Sequence, residues 1–237
     1  MASEFEFRHR MFVIAGIVAL AFACSWIDSH SAAASLTGWL TALGVPAAGA
    51  SGRHIVFFVA AGLVAGGTAL RTWGTAYLDV ETMMDARLRS QRLVIAGPYR
   101  YVRNPLYLGN LVVAVGLGLF ASRIGFFVLV IGMTVFLYRL ILREEQHLLR
   151  EHGDVYRQFM AIPRLLPAWR ARVPSSVAQP LWGRAAAGEI LMWATAVATA
   201  IYAATFSAGA FWATVLAGAV AAGVRYRATG AWSGKRL

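Results

Sequence analysis

Apolar and polar positions along the chain separate into long apolar stretches divided by short basic ones. Six stretches reach or approach the ~17–25 apolar residues that a spanning helix needs. They are Met11–Ile27, Ile55–Tyr77, Leu106–Ser122, Ile124–Leu142, Ala185–Phe206 and Ala208–Val224. Arg123 alone separates the third from the fourth, and Ser207 alone the fifth from the sixth. Both pairs are therefore expected to be tight helical hairpins. Gly62-x-x-x-Gly66 and Gly116-x-Gly118 supply small residues for close helix approach. No internal repeat is visible. The pattern predicts an all-α integral membrane protein of about six transmembrane helices, a single polytopic domain over residues 1–237.

Composition supports this and narrows it. Hydrophobic residues make up 59% and charged residues 14%, against about 25% charge in soluble domains. A soluble globular chain and a disordered one are both excluded. The net charge of +11 would suit nucleic acid, but the placement of the basic residues points to a membrane surface. Eighteen of them fall on one side of the six stretches and only Arg53 and Arg123 on the other, with Arg71 and Arg139 inside. Basic loops stay inside the cell, so both termini and the Leu78–Arg103 and Arg143–Arg184 segments are expected to be cytoplasmic. The outline of a secretory signal, Phe7-Arg8-His9-Arg10 through Ser31-Ala32-Ala33-Ala34-Ser35, is outweighed by the length of its apolar stretch. The single Cys24 excludes an intrachain disulfide and a cysteine-based zinc site. His9, His30, His54, His147 and His152 show no ligand spacing, so no metal is expected.

Two cytoplasmic-edge segments carry candidate chemistry. In Gly97-Pro98-Tyr99-Arg100-Tyr101-Val102-Arg103-Asn104-Pro105-Leu106-Tyr107-Leu108-Gly109, Asn104 reads as a helix N-cap and Pro105 as the first helical residue. In Arg139-Leu140-Ile141-Leu142-Arg143-Glu144-Glu145, neither carboxylate has a basic partner three or four residues away on its own helix. The helix is expected to continue to about His152 and stop at Gly153. Arg139, one turn inside the bilayer, is a functional candidate because an intramembrane charge is costly. Asn104 lies 19 residues before the hairpin turn at Arg123 and Glu144 lies 21 after it. At about 1.5 Å per residue the two arrive at one height. A helix start attracts a carboxylate and a Glu attracts an ammonium, so a zwitterionic amino-acid moiety would satisfy both.

These segments, followed by Gly153-x-x-Tyr156 and Pro163-Arg164-Leu165-Leu166-Pro167, resemble the isoprenylcysteine carboxyl methyltransferase family, which is related to the membrane phospholipid methyltransferases. The resemblance covers about residues 97–167. It implies a cytoplasmic-side pocket for S-adenosylmethionine formed by Tyr99, Arg103, Asn104, Pro105, Tyr107, Leu108, Gly109, Glu144, Glu145, Tyr156 and Arg164. It also implies that Arg139 acts as the catalytic residue, orienting an acceptor carboxylate. Asn104 stands where the family usually has His, and an amide cannot titrate near neutrality.

The resemblance thus implies methyl transfer to a lipophilic small-molecule or prenylated substrate among membrane lipids, first of all carboxyl O-methylation of an isoprenylcysteine-like acceptor. Phospholipid amine N-methylation is the alternative, and a non-catalytic membrane lipid-binding protein the third reading. A small transporter would place ionisable residues near the midplane, whereas here they crowd the cytoplasmic edge. No nucleic-acid partner is expected.

Overall fold

The computed structural model describes residues 1–45, 49–85, 96–171 and 179–233. Arg87, Arg89, Arg92, Arg172, Lys235 and Arg236, which enter the charge count above, lie outside the described residues. Among the described residues there is no strand, only helices. These are α1 (Glu4–Arg8), α2 (Arg10–Ala23), α3 (Ala32–Ala42), α4 (Gly49–Asp85), α5 (Pro105–Gly118), α6 (Arg123–Phe159), α7 (Trp182–Gly188), α8 (Ile190–Thr205) and α9 (Ala208–Ser233). Short 3₁₀ turns follow α2 at Cys24–Trp26 and precede α5 at Gly97–Arg100.

Each apolar stretch is helical, yet their lengths differ from the even set that hydropathy predicts. Among the described residues α4, α6 and α9 are individually long and apolar enough to cross a membrane. The expected Ala185–Phe206 span is two helices: α7 and α8 are bent by 67° at Glu189 and pass as a span only together. Arg10–Trp26 and Pro105–Gly118 are shorter than a full span. α5 has 14 residues, about 21 Å against a hydrocarbon core of about 30 Å. It is short because Pro105 opens it and the Leu119–Ser122 turn ends it early. α3 was not anticipated. Ser31 caps it by accepting from the Ala34 amide, a local signal inside a small-residue run.

The helices are neighbours in the order α2, α6, α5, α4, α8, α9. The two hairpins fall where expected. Ser122 caps α6 by accepting from Gly125 N, and Phe206, at φ 52°, reverses the chain between α8 and α9. Leu129, Met133, Phe136, Leu137 and Leu140 of α6 form the main core with Ile14 and Ile17 of α2.

The close approach lies between α4 and α5; Gly116, one of the expected glycines, takes part in it together with Gly67 and Gly109. A Cβ on Gly67 would sit 2.6 Å from the Gly109 carbonyl oxygen, and one on Gly116 would sit 2.7 Å from that of Ala60. Gly62 and Gly66, expected to serve this role, face open space. With no hydrophobic drive between helices in lipid, such backbone contact is the main source of association.

Far from the cytoplasmic-edge segments, Asp28 accepts from Arg123 Nη2 at 3.1 Å and from the Ile124 amide at 3.2 Å. Arg123, with Asp28 below the usual carboxylate range because of that pairing, thus fixes the hairpin turn.

Candidate active site

The site begins at the turn before α5. Gly97 has φ +53°, a conformation that favours glycine, and it lies against the Tyr77 ring. Across from it, the first helix of α6 stops at Gly153, as the sequence predicts, and a second helical segment follows to Phe159. Gly153 takes φ 50° and ψ −119°, and the chain folds back so that Tyr156, Phe159 and Ile162 bury against Leu148 and Leu149. The returning segment is stitched to the α5 start by three hydrogen bonds. Arg103 N donates to Pro163 O (2.9 Å) and Ala168 N to Tyr101 O (2.8 Å), while Asn104 Nδ2 donates to Arg164 O at 3.0 Å.

Glu145 sits where these segments meet, 7% exposed. Arg164 grips it, with Nε 3.1 Å from each carboxylate oxygen and Nη2 2.8 Å from Oε2. Arg103 Nη1 lies 3.3 Å from Oε1. Arg164 also donates to the Tyr138 hydroxyl at 2.8 Å, and Glu145 holds its guanidinium above the usual range. Burial, reinforced by Glu145, pushes the Tyr156 hydroxyl up to about 12, so it remains a neutral donor. Two cations on one carboxylate leave a locally positive, partly desolvated site.

A cavity of about 240 Å³ opens beside this group, lined by Met1, Leu142, Glu145, Gln146, Leu149, Tyr156, Met160 and Arg164. Whole small-molecule sites run to about 300–1,000 Å³, so this one takes part of such a ligand, with Met1 as a wall. The donor set fits the amino-acid end of S-adenosylmethionine: Glu145 for an ammonium, Arg103 and Arg164 for a carboxylate. Arg103 Nε is buried with no hydrogen-bond partner among the described residues, a donor that a ligand anion would satisfy.

Several sequence expectations change at this point. The hairpin register holds, because Tyr107 Oη donates to Glu144 Oε1 at 2.6 Å and Arg103 reaches Glu145. The two acids do not act as a pair, however. One faces Tyr107 and the other the arginines. Asn104 occupies the N-cap position of α5, but its side chain makes no cap hydrogen bond and instead holds the returning segment. Gly109 packs against Gly67 O and the Arg71 side chain, and Pro105 is buried beside Gly74. These two therefore set the position of α5 rather than line the cavity. Tyr99 is buried in the 3₁₀ turn and Leu108 is half-exposed on α5.

Arg139 was expected to be available to a ligand anion. Instead its Nη2 donates to Glu6 at 3.0 and 2.8 Å, and the Ala2 amide donates to its carbonyl at 3.1 Å. Glu6 is positioned by a capping box with Ser3. Arg71, the other basic residue inside a span, also has partners that were not read from the sequence. Arg71 donates to both Glu189 oxygens (3.0 and 2.8 Å) and to Asn110 Oδ1 (2.7 Å), and Thr75 donates to Glu189. The lone acid inside the fifth apolar stretch was the signal for this partnership.

Residues 55–155 match the family model described as phospholipid methyltransferase. Over this stretch the chain is similar to the phospholipid methyltransferase family. That family includes the isoprenylcysteine carboxyl methyltransferase group, and the match supports a membrane methyltransferase. The family region holds Arg103, Tyr107, Glu144 and Glu145, while Tyr156 and Arg164 lie just past its end. No curated protein and no solved structure matches the chain.

Proposed function

We propose that the chain transfers a methyl group from S-adenosylmethionine to a lipophilic acceptor at the cytoplasmic boundary of the membrane. The observation that carries this reading is the convergence of Arg103 and Arg164 on Glu145 beside a cavity that Tyr156 also lines. When bound, S-adenosylmethionine supplies the activated methyl group. Glu145 would hold its ammonium, Arg103 and Arg164 its carboxylate. Tyr156, Leu142, Leu149 and Met160 form the apolar walls that exclude water.

The first acceptor class is an isoprenylcysteine-like carboxylate. It is ionised at neutral pH and needs orientation rather than a base, a task for Arg139 once Glu6 is displaced. The second is a phospholipid amine, favoured by the description of the matched family and by Glu144. Burial holds that carboxyl above the usual range, which makes its carboxylate a stronger base for the proton that an amine must lose.

Purified protein in lipid vesicles, given methyl-labelled S-adenosylmethionine with prenylcysteine peptides and a lipid extract, tests the proposal. Base-labile label in the prenyl peptide marks O-methylation, and base-stable label in a phospholipid marks N-methylation. No label in any acceptor overturns it.

A further inference from the structure

The returning segment that carries Arg164 also projects two large apolar side chains outward. Leu166 is 80% exposed and Trp169 98%, with exposed Arg170 beside them. Their depth is fixed by the contacts around them. Ala168 N donates to Tyr101 O and Leu181 N to Ala76 O. The Tyr101 ring lies 6.4 Å from that of Trp73, and Gly74 lies against Leu106 and Pro105. Residues 73–76, the start of α5, the 163–169 turn and the start of α7 therefore share one level, where the α5 stretch enters the bilayer. Trp182, half-exposed, stands at that level too.

Tryptophan at such a level is stabilised in the headgroup region, which accepts an apolar ring with a polar edge. An adjacent arginine suits anionic headgroups. We infer that the 163–170 turn is seated in the bilayer interface, with Leu166 and Trp169 entering the lipid and Arg170 meeting its headgroups. The same turn supplies Arg164 to Glu145, so the bilayer forms part of the support for one wall of the cavity.

Spin labels at Leu166→Cys and Trp169→Cys, each in a Cys24→Ala background, test this in phosphatidylcholine–phosphatidylglycerol vesicles. An Asp154→Cys label serves as the aqueous reference, since that side chain is 86% exposed. The oxygen-to-nickel-complex collision ratio is expected to be severalfold higher at 166 and 169 than at 154. Ratios equal to that at 154 place the turn in water and overturn the inference. Exclusion of both probes means that protein covers it, and overturns the inference as well. Methyl transfer is not read, so the outcome is separate from the fate of the proposed activity.

Discussion

Glu144 and Glu145 adjoin in sequence but turn about 100° apart on the helix, and this alone gives them different partners. Their height relative to the α5 start was legible, because helical rise is fixed and the hairpin turn is marked by one charge. Their partners were not. Arg164 reaches Glu145 only because Gly153 reverses the chain, and Arg103 arrives from before α5. The Glu6–Arg139 contact was hidden for a different reason: α1 has five residues, too few for any periodic signal. Arg139 is where residue chemistry separates the acceptors. Lysine keeps the charge but loses the bidentate fork. If the acceptor is a carboxylate that Arg139 aligns, Arg139→Lys is expected to lower kcat at least about tenfold, ~1.4 kcal/mol of transition-state stabilisation. If a lipid phosphate several bonds from the reacting amine is held instead, kcat is retained and the apparent KM rises. Full activity in Arg139→Ala would show that the Glu6 pair is purely structural. Steady-state kinetics in vesicles separates the three.

At the scale of elements, the α4–α5 contact decides whether the site is assembled. Apolar stretches announce that helices exist, while the face on which they touch depends on side-chain direction. Of the two glycine patterns, Gly116-x-Gly118 supplies Gly116 to the contact, along with Gly67 and Gly109, whereas Gly62 and Gly66 take no part in it. The break at Glu189 was equally invisible to hydropathy, because a single acid hardly lowers the mean of an apolar run. Gly109→Ala places a methyl 2.7 Å from Gly67 O, where backbone must move. It is expected to destabilise the fold by about 1–3 kcal/mol and to reduce methyl transfer, since α5 also presents Tyr107 and follows Arg103. Gly62→Ala and Gly66→Ala, with nothing within 4 Å, are expected to be close to neutral. Thermal unfolding in detergent compares the three. Equal midpoints would show that the close approach does not contribute to stability.

For the whole molecule, contacts place the N-terminus at the end that holds Glu145, since Met1 lines the cavity and Arg143 Nη1 donates to Ala2 O at 3.1 Å. The Asp28–Arg123 pair marks the opposite end. From the distribution of arginine we propose that the Glu145 end is cytoplasmic. An impermeant thiol reagent is therefore expected to label Ser29→Cys, but not Asp154→Cys, from outside intact cells; the reverse pattern would invert the assignment. The membrane character of the fold was readable from hydropathy, and the candidate site from two motif segments. What joins them is tertiary: Gly153 was legible as a helix stop, but neither the direction of the chain after it nor the docking of residues 1–8 left a pattern. These segments are proposed to meet so as to hold S-adenosylmethionine at Glu145. Calorimetric titration of the purified protein with S-adenosylmethionine tests it most directly, with Glu145→Gln as the paired variant. Removing that charge is expected to weaken binding by about 1–3 kcal/mol, the scale of a charge-assisted hydrogen bond. No binding by the parent protein, or equal affinity in a folded Glu145→Gln variant, would contradict the claim.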